Sequence, residues 1–138
     1  MSLIIRQENE KDYSSVENLI KKVFENEEYS DHKEHFLVSR LRKSTSFIPE
    51  LSLVAEYNGL IIGHILLTKL VIKNGDKSFD SLALAPVSVR KEDQNKGVGS
   101  RLILESNKIA KNVGYEQYES VYHPRPYVGK VIKELLEI

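Results

Sequence analysis

Hydrophobic positions change period along the chain, and the changes mark its elements. Ile4 and Ile5 sit in a short run, Leu3–Gln7, that predicts a first strand. Tyr13, Val16, Leu19, Ile20, Val23 and Phe24 then recur at helical spacing, so residues 11–25 are expected as an amphipathic helix. Asn9 stands ahead of it as an N-cap, with Asp12 in the first turn. The polar, acidic stretch Glu25–Asp31 predicts a loop. Asp31 and Glu34 have capping-box spacing for a second helix, His32 to about Lys43, which would bury Phe36, Leu37 and Leu41. Ser44–Glu50, with Pro49, reads as a connector.

The period then shortens to two. Leu51, Leu53, Ala55 and Tyr57 alternate as in a strand, and Asn58-Gly59 is a type I′ hairpin signal. Leu60–Ile72 is a long apolar, β-branched run, expected as a buried strand. Asn74-Gly75 signals a second hairpin, and Phe79–Val89 predicts the next strand. The three form an antiparallel meander, with the first strand pairing at its edge. Helical spacing returns from about Val98 to Asn112, where Val98, Leu102, Ile103, Ile109, Ala110 and Val113 make one apolar side and Gly114 a C′ stop. Glu116–Tyr122 is expected as a last strand, ended by Pro124 and Pro126, and Val128–Leu136 as a short helix. No repeat or linker interrupts the pattern, so residues 1–138 read as one domain.

Composition narrows the function classes. Lys+Arg and Asp+Glu both number 20, so no net charge favours a nucleic-acid or anionic-membrane partner. The chain has no cysteine, which removes a disulfide framework, a thiolate nucleophile and a Cys-ligated metal. No run approaches the ~18 apolar residues of a membrane span, and the N-terminus lacks a signal-peptide pattern. A cytoplasmic location is expected. His32 and His35 share a helix face, but no carboxylate arrangement marks them as ligands, and no metal is expected. His64, inside an apolar strand, reads as a hydrogen-bonded core or cleft residue.

The segment with chemical content is a strand, a polar loop with two glycines, and a helix: Leu82–Val89, Arg90–Gly99, then the third helix. Backbone N–H groups ahead of a helix N-terminus make an anion site, and Gly97 and Gly99 would let a phosphate approach the backbone. The same glycines also suit a plain turn into a helix. A Walker-type loop fits poorly, because Gln94 stands where its first glycine is needed and Ser100-Arg101 follow Gly99. A dinucleotide fingerprint fits poorly too, since its third glycine would be Leu102.

The order of elements and Gln94-x-x-Gly97-x-Gly99 resemble the GNAT superfamily of acyl-CoA-dependent N-acetyltransferases, whose signature is Arg/Gln-x-x-Gly-x-Gly/Ala after the fourth strand. The runs Leu84–Val89 and Gln94–Ile103, with Gly63-His64-Ile65, are similar to one subgroup of bacterial acetyltransferases. The resemblance implies a mixed α/β fold, a mainly antiparallel sheet flanked by helices, in the order β-α-α-β-β-β-α-β-α. It implies acetyl-CoA or coenzyme A as acyl donor. The pyrophosphate would lie on the amides of Gln94, Asn95, Lys96, Gly97, Val98, Gly99 and Ser100. The pantetheine arm would lie along Val87, Ser88 and Val89 as an added strand, with an N–H there polarising the thioester carbonyl.

The implied reaction is attack by a primary amine, from a small molecule or peptide, in a ternary complex. An amine with pKa of about 10.4 is free in roughly one molecule in a thousand at pH 7, so a base or a desolvating pocket is needed. Glu56, Asp80, Glu119 and His123 are base candidates, equally ranked. Tyr127, with Tyr122 second, is the implied proton donor to the departing thiolate. The family's final β-hairpin finds no counterpart in Tyr115–Ile138, so an exposed fifth strand would need a cover, for which a homodimer is one candidate. Two other readings stand beside the enzyme: an acyl-CoA-holding module that senses or partners without turnover, and a different phosphate binder that would prefer ATP.

Overall fold

A computed structural model describes residues 2–26, 32–84 and 87–113, with the backbone alone described at 70–74 and 77–81. Its elements follow the expected order. Strand β1 (Leu3–Gln7) leads through a short 3-10 turn, Glu10–Asp12, into α1 (Tyr13–Phe24) and α2 (Glu34–Arg42). Strands β2 (Phe47–Tyr57), β3 (Leu60–Asn74) and β4 (Lys77–Leu84) form the meander, a two-residue strand β5 (Ser88–Val89) follows, and α3 (Val98–Asn112) comes last. The sheet runs β1-β2-β3-β4 with β5 also on β3, all antiparallel.

Local chemistry explains most boundaries. The Asn9 side chain accepts from Lys11 N while Asp12 Oδ2 accepts from Asn9 N at 2.8 Å, closing the helical start reciprocally. Asn58 and Gly59 both take positive φ, 53° and 78°, as a type I′ turn requires. The second hairpin turns on Gly75 at φ 63°, with Asn74 already in the strand and paired to Lys77.

Three expectations are corrected. Helix α2 starts at Glu34, two residues later than expected, with Lys33 at the N-cap position; Asp31 lies outside the described residues. Strand β2 begins at Phe47, inside the stretch read as a connector, and runs through Pro49. Pro49 lacks the N–H that a ladder needs, and the β2–β3 register shifts between Phe47 and Ser52 to accommodate it. The single strand expected over Phe79–Val89 is two segments. Leu84 faces Leu67, but Ser88 faces His64, so four steps on one strand match three on β3. The expected strand Glu116–Tyr122, the helix Val128–Leu136 and the missing hairpin all fall outside the described residues.

Both faces of the sheet are covered. Val16, Leu19, Ile20, Val23 and Phe24 of α1, with Val38 of α2, pack on Val54 and Leu66. Val98, Leu102 and Ala110 of α3 pack on Leu53, Ala55, Ile65 and Leu67 from the other side. Hence Leu51 to Ala55 is buried without interruption, where one-sided alternation was expected. The α3 core stripe is narrower than expected, and Val113 is exposed.

Candidate active site

The expected anion loop is built as a helix start without a side-chain cap. Arg90 to Asp93 form a tight turn in which Arg90 Nε donates to Asp93 Oδ2 at 2.7 Å and Asp93 N to Arg90 O at 2.8 Å. Asn95 then takes φ 65° and Gly97 φ 84°, two left-handed residues that swing the chain into α3. Gly97 is the N-cap, no side chain caps α3, and its first turn carries no acidic residue. The leading amides, with the positive end of a 15-residue helix, are thus free of competing carboxylates. Asn95, Lys96, Gly97 and Ser100 are exposed, whereas Val98 is buried as the helix's first anchor.

The two glycines act differently. A Cβ on Gly97 would meet nothing within 4 Å, so backbone conformation, not space, selects glycine there. A Cβ on Gly99 would sit 3.8 Å from Val87 Cγ1 and Val89 Cγ2, an ordinary contact. Gly99 therefore looks directly onto the short strand β5. Gln94 serves the same junction: its Nε2 donates to Val89 O at 2.9 Å, tying the loop to β5. Its side chain is thus engaged in holding the loop rather than presented to a ligand.

Strand β5 pairs with β3 through Gly63↔Val89 and His64↔Ser88, and Arg90 N continues the ladder to Ile62 O at 2.8 Å. Among the described residues no strand covers its other edge. Beneath it, a Cβ on Gly63 would lie 3.1 Å from Leu102 Cδ1 and 3.3 Å from both Ala55 Cβ and Ser88 O. Gly63 is what lets α3 lie close against the sheet at the point where the loop meets β5.

Of the base candidates, Glu56 and the backbone of Asp80 are among the described residues. Glu56 is bound to Arg6 at 3.0 Å, and Arg6 also holds Asp12 at 2.7 Å. The Arg6 hydrogen bonds keep the Asp12 carboxyl below the usual carboxylate range. Asp80 lies on β4 opposite Val71. Glu119, His123, Tyr122 and Tyr127 lie outside the described residues. His32 Nδ1 is 2.9 Å from Phe24 O and His35 stacks on Phe36, with ring centroids 4.0 Å apart. Among the described residues no group of three or more His, Cys, Asp or Glu side chains is placed to hold a metal.

The family model for the GNAT acetyltransferase domain matches residues 4–118. The chain belongs to the GNAT acetyltransferase family. It is 45% identical over 71 residues to YjhQ of Escherichia coli K12, an uncharacterised N-acetyltransferase; the match takes in 51% of this chain and 39% of that relative's length. Its fold matches a Brucella melitensis GNAT acetyltransferase in complex with acetyl-CoA with TM-score 0.74 and 32% identity, over 82% of this chain and 71% of that one. It matches Escherichia coli YhbS in complex with CoA with TM-score 0.70 and 25% identity, over 82% and 58%. The GNAT fold, mixed with a mainly antiparallel sheet between helices, is thereby shown. No described helix is long and apolar enough to cross a membrane.

A set of residues that periodicity did not single out lies on the α1–α2 side of the sheet. Arg42 donates to Glu8 through Nη2 at 2.6 Å and Nε at 3.1 Å, and to Glu17 through Nη1 at 3.5 Å. Its guanidinium lies 4.1 Å from the centre of the Tyr13 ring. Ser52 Oγ donates to Glu8 Oε1 at 2.7 Å, and His64 Nε2 is 3.4 Å from Ser52 Oγ. Two polar residues, Ser52 and His64, at inward positions of otherwise apolar strands were the sequence signal for it. The partners Glu8 and Arg42 carried none.

Proposed function

We propose that this chain moves an acetyl group from acetyl-CoA to a primary amine by direct attack within a ternary complex. The observation that carries the reading is the juxtaposition of an uncapped helix start with the short strand β5, joined by Gln94 and faced by Gly99. The amides from Asn95 to Ser100 would take the diphosphate of CoA, with Lys96 nearby. The pantetheine arm would add to the edge of β5, and an N–H within Val87–Val89 would donate to the thioester oxygen. Acetyl-CoA and CoA in the two similar bound structures support this assignment of donor.

In the chemical step the neutral amine nitrogen attacks the thioester carbon. The tetrahedral oxyanion leans on the β5 amide, the nitrogen releases its extra proton to solvent, the C–S bond breaks as the carbonyl re-forms, and the thiolate takes a proton. Tyr127, or Tyr122, is the proposed donor of that proton. The absence of cysteine leaves no thiol to carry an acyl-enzyme, which favours direct transfer.

Calorimetric titration with acetyl-CoA and CoA tests the donor half, alongside a folded Gly97→Glu, Gly99→Glu variant. Binding by the parent and its loss in the variant supports the loop assignment. No binding by the folded parent at about millimolar ligand overturns it. An amine screen then separates the enzyme, which turns over, from an acyl-CoA-holding module, which does not. In an active protein, Tyr127→Phe should lower kcat by about a hundredfold with KM for acetyl-CoA kept.

A further inference from the structure

Two fully buried polar atoms on directly paired residues of β3 and β5 have no hydrogen-bond partner. They are His64 Nδ1 and Ser88 Oγ, and both residues are 0% exposed. His64 and Ser88 are direct register partners, so their side chains stand on the same face, toward α1 and α2. Unpartnered buried polar groups are costly, and adjacent pairs that leave two are unusual.

The surroundings of the other ring nitrogen fix the proton. Around His64 Nε2 lie Ser52 Oγ at 3.4 Å and Glu8 Oε2 at 3.6 Å. The Ser52 hydroxyl already gives its hydrogen to Glu8 Oε1, and Glu8 is held by Arg42, so both neighbours present lone pairs. Burial, with the Arg42 charge beside it, lowers the His64 pKa to about 3, leaving a neutral ring with one N–H. That hydrogen belongs on Nε2, where only acceptors face it, and Nδ1 is left as a bare lone pair. Ser88, the register partner of His64, carries a buried hydroxyl on the same face of the sheet.

We propose that Glu8, His64 and Ser88 form a buried relay in which His64 is a positioning residue: Nε2–H faces Glu8 and Ser52, and Nδ1 accepts from the Ser88 hydroxyl, directly or through one water. The relay fixes the side of β5 turned away from α3, and Arg42 extends it to α1 and α2. With Val87–Val89 read as the acyl strand, His64 sets where the thioester carbonyl meets its N–H donor. The diphosphate loop joins β5 from the α3 side, through Gln94 Nε2 to Val89 O.

Two measurements test this. Nitrogen NMR of histidine-labelled protein between about pH 5 and 8 should show His64 as a single, non-titrating Nε2–H tautomer. Ser88→Ala should move the Nδ1 resonance, and Ser88→Thr, which keeps a hydroxyl, should restore it. Calorimetry should then show Ser88→Ala losing about fivefold in its preference for acetyl-CoA over CoA, with the preference recovered in Ser88→Thr. An Nδ1–H tautomer, an Nδ1 resonance indifferent to Ser88→Ala, or an unchanged preference in a folded variant overturns the relay. A parent that binds neither ligand overturns the donor site itself, and His64 positioning with it, a failure seen before any variant is made.

Discussion

On the α3 side of the sheet the centre is apolar: Val98, Leu102 and Ala110 meet Leu53, Ala55, Ile65 and Leu67, and the buried Ser106 hydroxyl is satisfied by Ile103 O at 2.8 Å within its own helix. On the α1–α2 side the apolar cluster shares its space with Glu8, Arg42, Ser52 and His64, all but enclosed. The Arg42 and Glu8 side chains are 5% and 1% exposed. The difference lies in what specifies each contact. Apolar packing fixes a distance but tolerates sliding and volume-conserving swaps. The ion pair accepts one arrangement, because each charge has left water and depends on the other. The α3 side thus supports the Gln94–Gly99 loop by fit, and the other side holds α1 and α2 against β2 and β3 in one geometry through a polar network.

The sharpest way to break the contrast is Arg42→Ala. It strands the Glu8 carboxylate in the core and should cost about 3–5 kcal/mol in urea unfolding. Pairing it with Glu8→Gln should return part of that loss, which a pure packing defect would not. Leu102→Ala on the opposite face should cost about 2–5 kcal/mol, and no second substitution that changes only charge should repair it.

Acid gives a third, smaller probe. The folded pKa of His64, about 3, lies below the ordinary imidazole value of 6.5, so the fold keeps its full stability above 6.5 and loses it as pH falls toward 3. The loss should reach about 2 kcal/mol at pH 5. Urea midpoints at pH 7.5 and 5 measure it, and His64→Gln should flatten the difference. Glu8, Arg42 and Ser52 face the ring or its partners, with Glu17 behind Arg42, and a slope kept in the variant would point to those groups instead.

The smallest effect belongs to Gly97→Ala. Strain at φ 84° should lower stability by about 1 kcal/mol while adding no clash, so any larger fall in CoA affinity reports the bent loop rather than a blocked one.

The legible parts of this fold were those governed by neighbours in sequence. Asn58-Gly59 needs positive φ twice, and the apolar spacing of α1 and α3 needs a single buried stripe, so turns and helices were readable. Strand β2 was misplaced at its start because Pro49 signals interruption locally, whereas pairing with β3 tolerates it through a register shift. The split between β4 and β5 was invisible because their register is set by the partner strand β3, not by neighbours in sequence. Of the candidate site, the loop from Gln94 to Gly99 was legible through its glycines. The Glu8–Arg42 pair was not, because its members stand 34 residues apart and each looks like any surface charge.

Gly63 gives the molecule a gauge. With Leu102 Cδ1 3.1 Å from where a methyl group would begin, the height of α3 above the sheet is set by one missing carbon. The amides at the head of that helix and the edge of β5 are the two jaws whose separation this height defines. A single added carbon at residue 63 would press on Leu102 from one jaw and on Ser88 O of the other, and would part them by a few tenths of an ångström.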